Sequence, residues 1–335
     1  MFRSLVYKIF PVLMLFCLLA ACSEESSEGE EEKKELGDEE NSLWLVDWDY
    51  ENGLDIAKEA SDDIDNLLLF GAYFDEDAKL FYPENTEKLI EGVKDDKDLS
   101  EKDVYISVVN DQFLDEGNKL KDAKVLEKNI KSASKRKKHI KSIMKLAEDE
   151  TIDGIEVDYE NIPEDLIKDY VKFIKDLSKA TEEQDVSLRV VFEPSFPVED
   201  VDLPEEPLYS VMAYDLYGTH SGPGPKADDE FLDGLASRFL SKPNDVEVAF
   251  ANGGFSWDEE DNASTLTYHQ IEKIIEEYDP DIEKDEESGA KSFTYEDDDE
   301  ENEVWYVDED TLEHWRERIK EHDDDMSFSY WRAGG

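Results

Sequence analysis

The chain has 335 residues, of which 90 are Asp or Glu and only 36 are Lys or Arg, so its formal net charge at pH 7 is −54. Because affinity for nucleic acid comes from Lys and Arg that neutralise phosphates, this charge argues against a nucleic-acid-binding protein. The two cysteines, Cys17 and Cys22, both lie near the N-terminus. The remainder of the chain therefore has no disulfide and no thiolate for catalysis or zinc binding.

The N-terminal residues have the pattern of an export signal. Arg3 and Lys8 precede an apolar run at 9–19, which leads into the sequence LAAC with Cys22 last. About a dozen apolar residues are too few to cross a bilayer core, which takes about 20. Small residues before a cysteine are typical of a lipoprotein cleavage site. We therefore predict a signal peptide over 1–21 and an exported protein, anchored to the membrane by lipid on Cys22 and facing the cell wall or periplasm.

The segment after Cys22 is dominated by charge. Residues 23–40 contain no aromatic and no β-branched side chain. Such a composition cannot bury enough apolar surface to fold, and it is typical of a disordered tether. We predict the acylated cysteine and a disordered acidic linker over 22–41, followed by one folded domain over 42–335.

From residue 43 onward, short apolar runs alternate with amphipathic stretches. The apolar runs predict strands at 43–49, 66–73, 104–109, 154–160, 186–192, 208–214, 246–251 and 326–330. The clearest helices are predicted at 135–148, 163–182, 229–240, 268–278 and 310–321. Alternating strands and helices favour an α/β fold with a parallel sheet. The length suits a single-domain (β/α)8 TIM barrel of typically ~250 residues. A doubly wound sheet is the alternative, but its glycine-rich phosphate loop is missing.

Neither the histidines nor the basic residues form a recognisable site. The histidines have no metal-ligand or triad spacing, so we expect them on the surface and predict no metal and no cofactor; they are residues 139, 220, 269, 314 and 322. Basic residues concentrate at 119–145, where Ile140, Ile143 and Met144 recur at helical spacing. This pattern predicts a helix with a solvated basic face.

The fourth predicted strand carries a regular acidic alternation in the sequence DGIEVDYEN, residues 153–161. In a strand, alternate side chains lie on opposite faces. One face has Glu156, Asp158 and Glu160, and the other has Ile155, Val157 and Tyr159. In so acidic a chain about six such triplets are expected by chance, so a solvated outer face is the alternative. If the apolar face packs on the helices of a barrel, the carboxylates point inward, where barrel active sites form.

The segment resembles the D-x-x-D-x-D-x-E signature of glycoside hydrolase family 18, the chitinase-like barrels, whose members use substrate-assisted catalysis. MAYD at 212–215 is similar to the family's M-x-Y-D, and a similar SGPGP loop follows at 221–225. FSW at 255–257 and WRAG at 331–334 also resemble family segments. The tyrosine, glutamate and asparagine at 159–161 are closest to the bacterial peptidoglycan and spore-cortex N-acetylglucosaminidase branch. Glu156 departs from the family pattern, which has Asp at this position.

The resemblance implies a set of catalytic residues. Glu160 is the expected general acid, and Asp158 is expected to orient the substrate's acetamido group and balance the charge of the oxazolinium ion. Tyr214 is expected to donate a hydrogen bond to the acetamido oxygen. Glu156 and Asp215 are expected to complete the polar network.

The resemblance also implies binding and structural residues. Trp331 is expected to form an apolar floor beneath the sugar ring, with Trp257 and Tyr217 as candidates for its walls. Met212 belongs to the same substrate-binding set. Asp153 and Gly154 are expected to hold the turn before the fourth strand.

The sequence therefore favours a monomeric, lipid-anchored hydrolase that cleaves β-linked N-acetylglucosamine in peptidoglycan or a chitin-like glycan with retention of configuration. Its expected partners are an N-acetylated polysaccharide or oligosaccharide and, through Cys22, the membrane. One alternative is a catalytically inactive carbohydrate-binding lipoprotein on the same barrel. Another is a structural or adhesion module, which would leave the aligned motifs unexplained.

Overall fold

The computed structural model of the chain describes residues 39–242, 244–297 and 300–335. The predicted signal peptide, Cys22 and nearly all of the predicted linker lie outside the described residues. Within the described ranges, no helix combines the length and the apolar character that a membrane span requires.

Eight strands of the described chain close into a parallel barrel. They are hydrogen-bonded in the order β1, β14, β8, β7, β6, β5, β4, β2, and β2 pairs back with β1. The short β3 extends β2 in an antiparallel direction. The strands are β1 (Asn41–Val46), β2 (Asn66–Phe74), β3 (Leu80–Phe81), β4 (Asp103–Gln112), β5 (Gly154–Asp158), β6 (Ser187–Phe192), β7 (Leu208–Met212), β8 (Val246–Ala251), β9 (Gly253–Trp257), β10 (Ala263–Leu266), β11 (Glu283–Lys284), β12 (Lys291–Asp297), β13 (Glu300–Val307) and β14 (Ser327–Trp331).

The described residues form eight α-helices. They are α1 (Tyr50–Glu59), α2 (Glu84–Asp95), α3 (Ala123–Ile130), α4 (Ala133–Met144), α5 (Ile167–Glu182), α6 (Asp229–Phe239), α7 (Tyr268–Tyr278) and α8 (Glu309–Lys320). Each of the predicted strands corresponds to a barrel strand, and each of the predicted helices is present. The predicted (β/α)8 barrel is confirmed.

A second sheet, which the sequence analysis did not predict, is inserted between β8 and α8. It is antiparallel, with strand order β10, β9, β13, β12, β11. Its small core combines Ile271 of α7 with Phe293, Val304 and Tyr306 of the sheet. Charged residues at the facing ends of β12 and β13 obscure the alternation that indicates a strand.

Strand β5 presents its apolar face to the surrounding helices. Ile155, Val157 and Tyr159 are fully buried in the core between the barrel and its helices. The Tyr159 ring stacks on Phe173 of α5 with ring centroids 5.8 Å apart. Burying a side chain of this size contributes roughly 1.5–3 kcal/mol. The acidic residues of the alternation therefore point toward the barrel interior.

One histidine is not on the surface, and the prediction for it is wrong. His139 of α4 is 3% exposed, and its Nε2 lies 2.7 Å from the hydroxyl of Tyr159. Its ring stacks on Phe173. Burial lowers the pKa of His139 to about 3, so the imidazole is neutral. The basic stretch of the sequence contributes this residue to the core because its apolar stripe also carries the imidazole.

Candidate active site

A cavity of about 190 Å³ opens at the carboxyl ends of the barrel strands. This end of a (β/α)8 barrel carries the active site in characterised enzymes of the fold. Of the predicted site residues, six line this cavity. Its lining is Trp44, Phe70, Val109, Asn110, Asp111, Leu120, Lys121, Asp158, Glu160, Val191, Met212, Tyr214, Asp215 and Trp331.

Asp158 and Glu160 are two largely buried carboxylates in one cavity. Asp158 is 6% exposed, and the side chain of Glu160 is 13% exposed. Burial, together with the charges of Glu160 and Glu156, raises the pKa of Asp158 well above its usual value. Burial also raises the pKa of Glu160 to about 7, against the opposing effect of Lys121. Near neutral pH the pair therefore retains a proton that isolated carboxylates would have lost.

One oxygen of Asp158 has no partner within the described structure. Its Oδ1 is buried and accepts no hydrogen bond there. A buried carboxylate oxygen without a donor is unfavourable by roughly 1–3 kcal/mol or more. Because this residue lines the cavity, the oxygen is available to a donor that enters with a ligand.

Asn110, at the end of β4, fixes the backbone at Glu160. Its Oδ1 accepts from the Glu160 N–H at 2.9 Å, and its Nδ2 donates to the Glu160 carbonyl at 3.0 Å. The next residue, Asn161, turns away with φ of +52°, and its N–H donates to Glu193. Asn tolerates this left-handed conformation better than most residues. Asn110 was not among the predicted site residues, because its only signal in the sequence is a polar residue near the end of an apolar strand.

Tyr214 and Asp215 lie two and three residues after Met212, the last residue of β7, and all three residues line the cavity. Burial raises the pKa of Tyr214 well above its usual value, and the surrounding carboxylates raise it further. The Tyr214 hydroxyl therefore remains protonated and can donate a hydrogen bond to a ligand. Across the described chain, no group of three or more His, Cys, Asp or Glu side chains is arranged to hold a metal ion.

Aromatic rings form one side of the cavity. Trp331 packs edge-on against Phe70 with centroids 5.0 Å apart, and against Trp44 at 6.0 Å. Trp48, which was not predicted as a site residue, has its ring centroid 6.5 Å from that of Trp331 and is 54% exposed. A large exposed ring that continues the wall of a cavity is a surface on which a sugar ring can stack.

Two predicted wall residues lie away from the cavity. Trp257, in β9, is 1% exposed, and its Nε1 donates to the Ser221 carbonyl at 3.0 Å. Tyr217 packs its ring on Gly224, where a Cβ atom would come within 2.5 Å of the ring. Both side chains shape the loop at 216–226, and neither contributes to the lining of the cavity.

Glu156 does not line the cavity but belongs to a buried polar network in the barrel. Its carboxylate accepts from Trp44 Nε1 at 2.8 Å, Ser107 Oγ at 2.5 Å and Arg189 Nε at 3.2 Å. Arg189 also holds Glu247 with two bonds, of 3.1 and 2.6 Å. Burial alone would raise the pKa of Glu247, but Arg189 outweighs it and the pKa is lowered.

Arg189 makes one hydrogen bond to Glu156 and two to Glu247, and this difference affects the two carboxylates differently. Burial raises the pKa of Glu156, because its single bond to Arg189 compensates desolvation less completely. All its contacts are nevertheless donors, so the geometry suits an ionised carboxylate. Glu156 therefore acts on the site through its charge, which raises the pKa of Asp158, and makes no direct contact with the cavity.

Asp153 and Gly154 join β5 to its neighbour. The Asp153 carboxylate accepts from the Val104 N–H at 2.9 Å. At Gly154, a Cβ atom would lie 2.3 Å from the ring of Tyr105. Both residues therefore set the start of the strand whose far end carries Asp158.

Comparison with known proteins agrees with this architecture. The solved structures that the chain resembles include the spore cortex-lytic enzyme SleL of Bacillus cereus, with 18% identity and a TM-score of 0.72 over 88% of this chain and 71% of SleL. A chitinase from Chromobacterium violaceum has 15% identity and a TM-score of 0.74, over 88% of this chain and 94% of the chitinase. A Cycas revoluta chitinase in complex with (GlcNAc)3 has 18% identity and a TM-score of 0.70, over 88% and 94%. At these identities the similarity establishes the fold alone.

Sequence comparison with curated proteins finds no match. The model of the family Glycosyl hydrolases family 18, however, matches residues 68–326. This range includes β5 and β7 with the carboxylates and the tyrosine that line the cavity. The chain belongs to glycosyl hydrolases family 18.

Proposed function

We propose that this protein is a glycoside hydrolase that cleaves β-linked N-acetylglucosamine in peptidoglycan or a chitin-like glycan, with retention of anomeric configuration. The observation that carries the proposal is the pair Asp158 and Glu160, buried in one cavity at the carboxyl ends of the strands. The unpartnered Oδ1 of Asp158 matches a ligand that brings its own donor, as the N–H of an acetamido group does.

The chemistry follows from the positions of the two carboxyl groups. Glu160 gives its proton to the glycosidic oxygen, and the bond between that oxygen and C1 of the sugar breaks. The acetamido carbonyl oxygen of the same sugar attacks C1 and forms an oxazolinium ion. Asp158 accepts the amide N–H and balances the positive charge, while the Tyr214 hydroxyl donates to the acetamido oxygen. Water then attacks C1 and gives a proton to Glu160, while the bond between C1 and the acetamido oxygen breaks and the acetamido group is restored. The two inversions give net retention.

The electrostatics of the cavity suit this division of roles. A general acid works best when its pKa lies near the working pH, and burial brings that of Glu160 to about 7. Catalysis also needs Asp158 in its anionic form when Glu160 carries the proton. Two interacting carboxyl groups that share one proton meet both requirements.

Membership of the family and the named structural neighbours support the class of substrate. The Cycas revoluta chitinase was solved with (GlcNAc)3, and SleL is described as a spore cortex-lytic enzyme. We further propose that the protein is exported and anchored by lipid on Cys22, which rests on the signal at 1–21. Mass spectrometry of the exported protein should find Cys22 lipid-modified, and an unprocessed N-terminus would contradict this anchor.

A matched pair of substrates tests the proposed mechanism. An oligosaccharide of β-1,4-linked N-acetylglucosamine should be hydrolysed, whereas the same oligosaccharide with free amines should show kcat/KM lower by at least ~1,000-fold, because it has no internal nucleophile. Product release is followed by chromatography, and binding of both oligosaccharides by calorimetry. Equal hydrolysis of the two would contradict substrate assistance. Binding without any product would identify a carbohydrate-binding protein and overturn the hydrolase.

A further inference from the structure

Lys121 is a lone cation in an acidic cavity. Among the described residues that line the cavity, it is the only one with a positive charge, and the lining also has four acidic residues, Asp111, Asp158, Glu160 and Asp215. Its Nζ forms an ion pair with the carboxylate of Glu160. The proposed general acid is thus paired with a cation.

The backbone of Lys121 is fixed by its neighbours. In the loop after β4, Lys119 exchanges two backbone hydrogen bonds with Gln112, of 2.8 and 2.9 Å. The Lys121 N–H donates to Asp111 Oδ1 at 2.7 Å, and its φ is +51°. The Lys121 side chain is 43% exposed, while that of Glu160 is 13% exposed. The ammonium group can therefore leave Glu160 by rotation of its side chain, with the backbone unchanged.

The ion pair opposes the role of Glu160. A neighbouring cation favours the ionised carboxylate, and a general acid must carry a proton. Release of Glu160 from this ion pair therefore favours the protonated acid that cleavage needs. In a cavity lined by carboxylates, the release is favoured when the substrate supplies a competing anion.

The position of Glu160 indicates where that anion lies. Glu160 protonates the oxygen of the leaving group, so the leaving sugar sits next to Glu160 and within reach of Lys121. We propose that Lys121 selects glycans whose leaving sugar carries a carboxylate, such as the lactyl group of N-acetylmuramic acid, and that it exchanges Glu160 for this carboxylate when substrate binds. The inference rests on the proposed function and narrows its preferred substrate to peptidoglycan strands with free lactyl carboxylates, because a peptide joined to the lactyl group converts the carboxylate into an uncharged amide. The exchange also leaves Glu160 without its cation, so protonation of the acid becomes easier in the complex.

Two glycans that differ only in charge test the exchange. One is a peptidoglycan glycan strand with free lactyl carboxylates, and the other is the same strand with those groups converted to neutral amides. The wild-type protein should cleave the anionic strand with kcat/KM about 10-fold higher, the size of one charge-assisted hydrogen bond. Lys121→Met should reduce this preference to about 1, and Lys121→Arg should keep it. Lys119→Met, an equal change of charge at an exposed side chain outside the cavity lining, should also keep it.

The pH dependence of kcat/KM distinguishes the proposed exchange of partners by Lys121 from a purely structural role of this residue. Loss of Lys121 should move the alkaline limb of kcat/KM to higher pH, because Glu160 then keeps its proton longer. An unchanged preference in Lys121→Met, or an equal rate on both strands with the wild-type protein, would overturn the inference and leave the proposed hydrolase intact. If neither strand is cleaved, the proposed function is wrong. Calorimetry then decides the inference, since equal binding of both strands by the wild-type protein would overturn it.

Discussion

A Glu160→Gln variant should hydrolyse β-linked N-acetylglucosamine about 1,000-fold more slowly than the wild-type protein. Gln has the shape of Glu but has no acidic proton to give to the leaving oxygen, and general acid catalysis contributes typically 10²–10⁴-fold. The fold should be unaffected, because Asn110 holds residue 160 through its backbone. The measurement is kcat on a chitin oligosaccharide, followed by the release of reducing ends.

The matched control is Glu164→Gln, which makes the same change at an exposed residue in the segment that follows β5. This variant should retain the wild-type rate within about twofold. Circular dichroism and thermal unfolding check that both variants are folded. A Glu160→Gln protein that keeps more than about a tenth of the wild-type rate would show that another group protonates the leaving oxygen.

Arg189→Met should destabilise the protein by about 3–5 kcal/mol, because removal of one partner of a buried ion pair leaves an uncompensated charge. Arg189 is 1% exposed, and it is bonded to two carboxylates that are themselves almost fully buried, Glu156 and Glu247. Without the guanidinium, both must either protonate or remain buried as unpaired anions. Urea denaturation at pH 7 measures the loss in the free energy of unfolding.

Two controls distinguish the destabilisation caused by unpaired buried charges from that caused by lost side-chain packing. Arg318→Met breaks an ion pair with Asp233 at partly exposed side chains, and it should cost under about 1 kcal/mol. A triple variant, Arg189→Met with Glu156→Gln and Glu247→Gln, should recover part of the stability because no charge remains in the network. A loss under about 1 kcal/mol in Arg189→Met alone would contradict this account.

The loss in the free energy of unfolding caused by Arg189→Met should also depend on pH, and its direction can be worked out. In this variant the folded-state pKa values of Glu156 and Glu247 should lie above the unfolded value of about 4.3, because burial is no longer balanced by a cation. Groups with a raised folded pKa lose their stability contribution as the pH rises through that pKa. The difference from the wild-type protein should therefore be smallest near pH 4 and should grow toward neutral pH.

The alternation of apolar and amphipathic segments was sufficient to predict the barrel. Strands buried on both faces, such as β2, are continuous apolar runs that periodicity detects readily. The inserted sheet was not predicted because β12 and β13 are half exposed and rich in acidic residues. In a chain that is acidic throughout, their alternation of apolar and polar residues does not stand out. Their pairing depends on contacts between strands, which no local pattern contains.

The centre of the site was predictable because its residues are adjacent in the sequence. Asp158 is the last residue of β5, and Glu160 follows two residues later. Their inward direction follows from the alternation with Val157 and Tyr159, which are buried on the opposite face. Asn110 and Lys121 come from the preceding strand and its loop, and nothing in the local sequence connects them to Glu160. Trp48 was missed for the same reason, since only the closure of the barrel brings it beside Trp331.

The buried network shows a further limit of a single sequence. Arg189 and Glu247 each appear as one charge within an apolar strand, where a surface position is as plausible as a buried one. The alternation of side chains along each strand indicates that both point inward. That they form an ion pair becomes clear only when β6 and β8 are placed in the same barrel. Glu156, which departs from the family pattern, is held in the barrel by its ion pair with Arg189.

The most direct test of the central claim is the configuration of the first product. If Asp158 and Glu160 cleave an acetamido sugar through two successive inversions at C1, the newly formed reducing end must be the β-anomer. Proton NMR recorded within the first minutes of hydrolysis, before mutarotation, distinguishes the two anomers. A predominance of the β-anomer is the predicted result, and initial release of the α-anomer would contradict the mechanism.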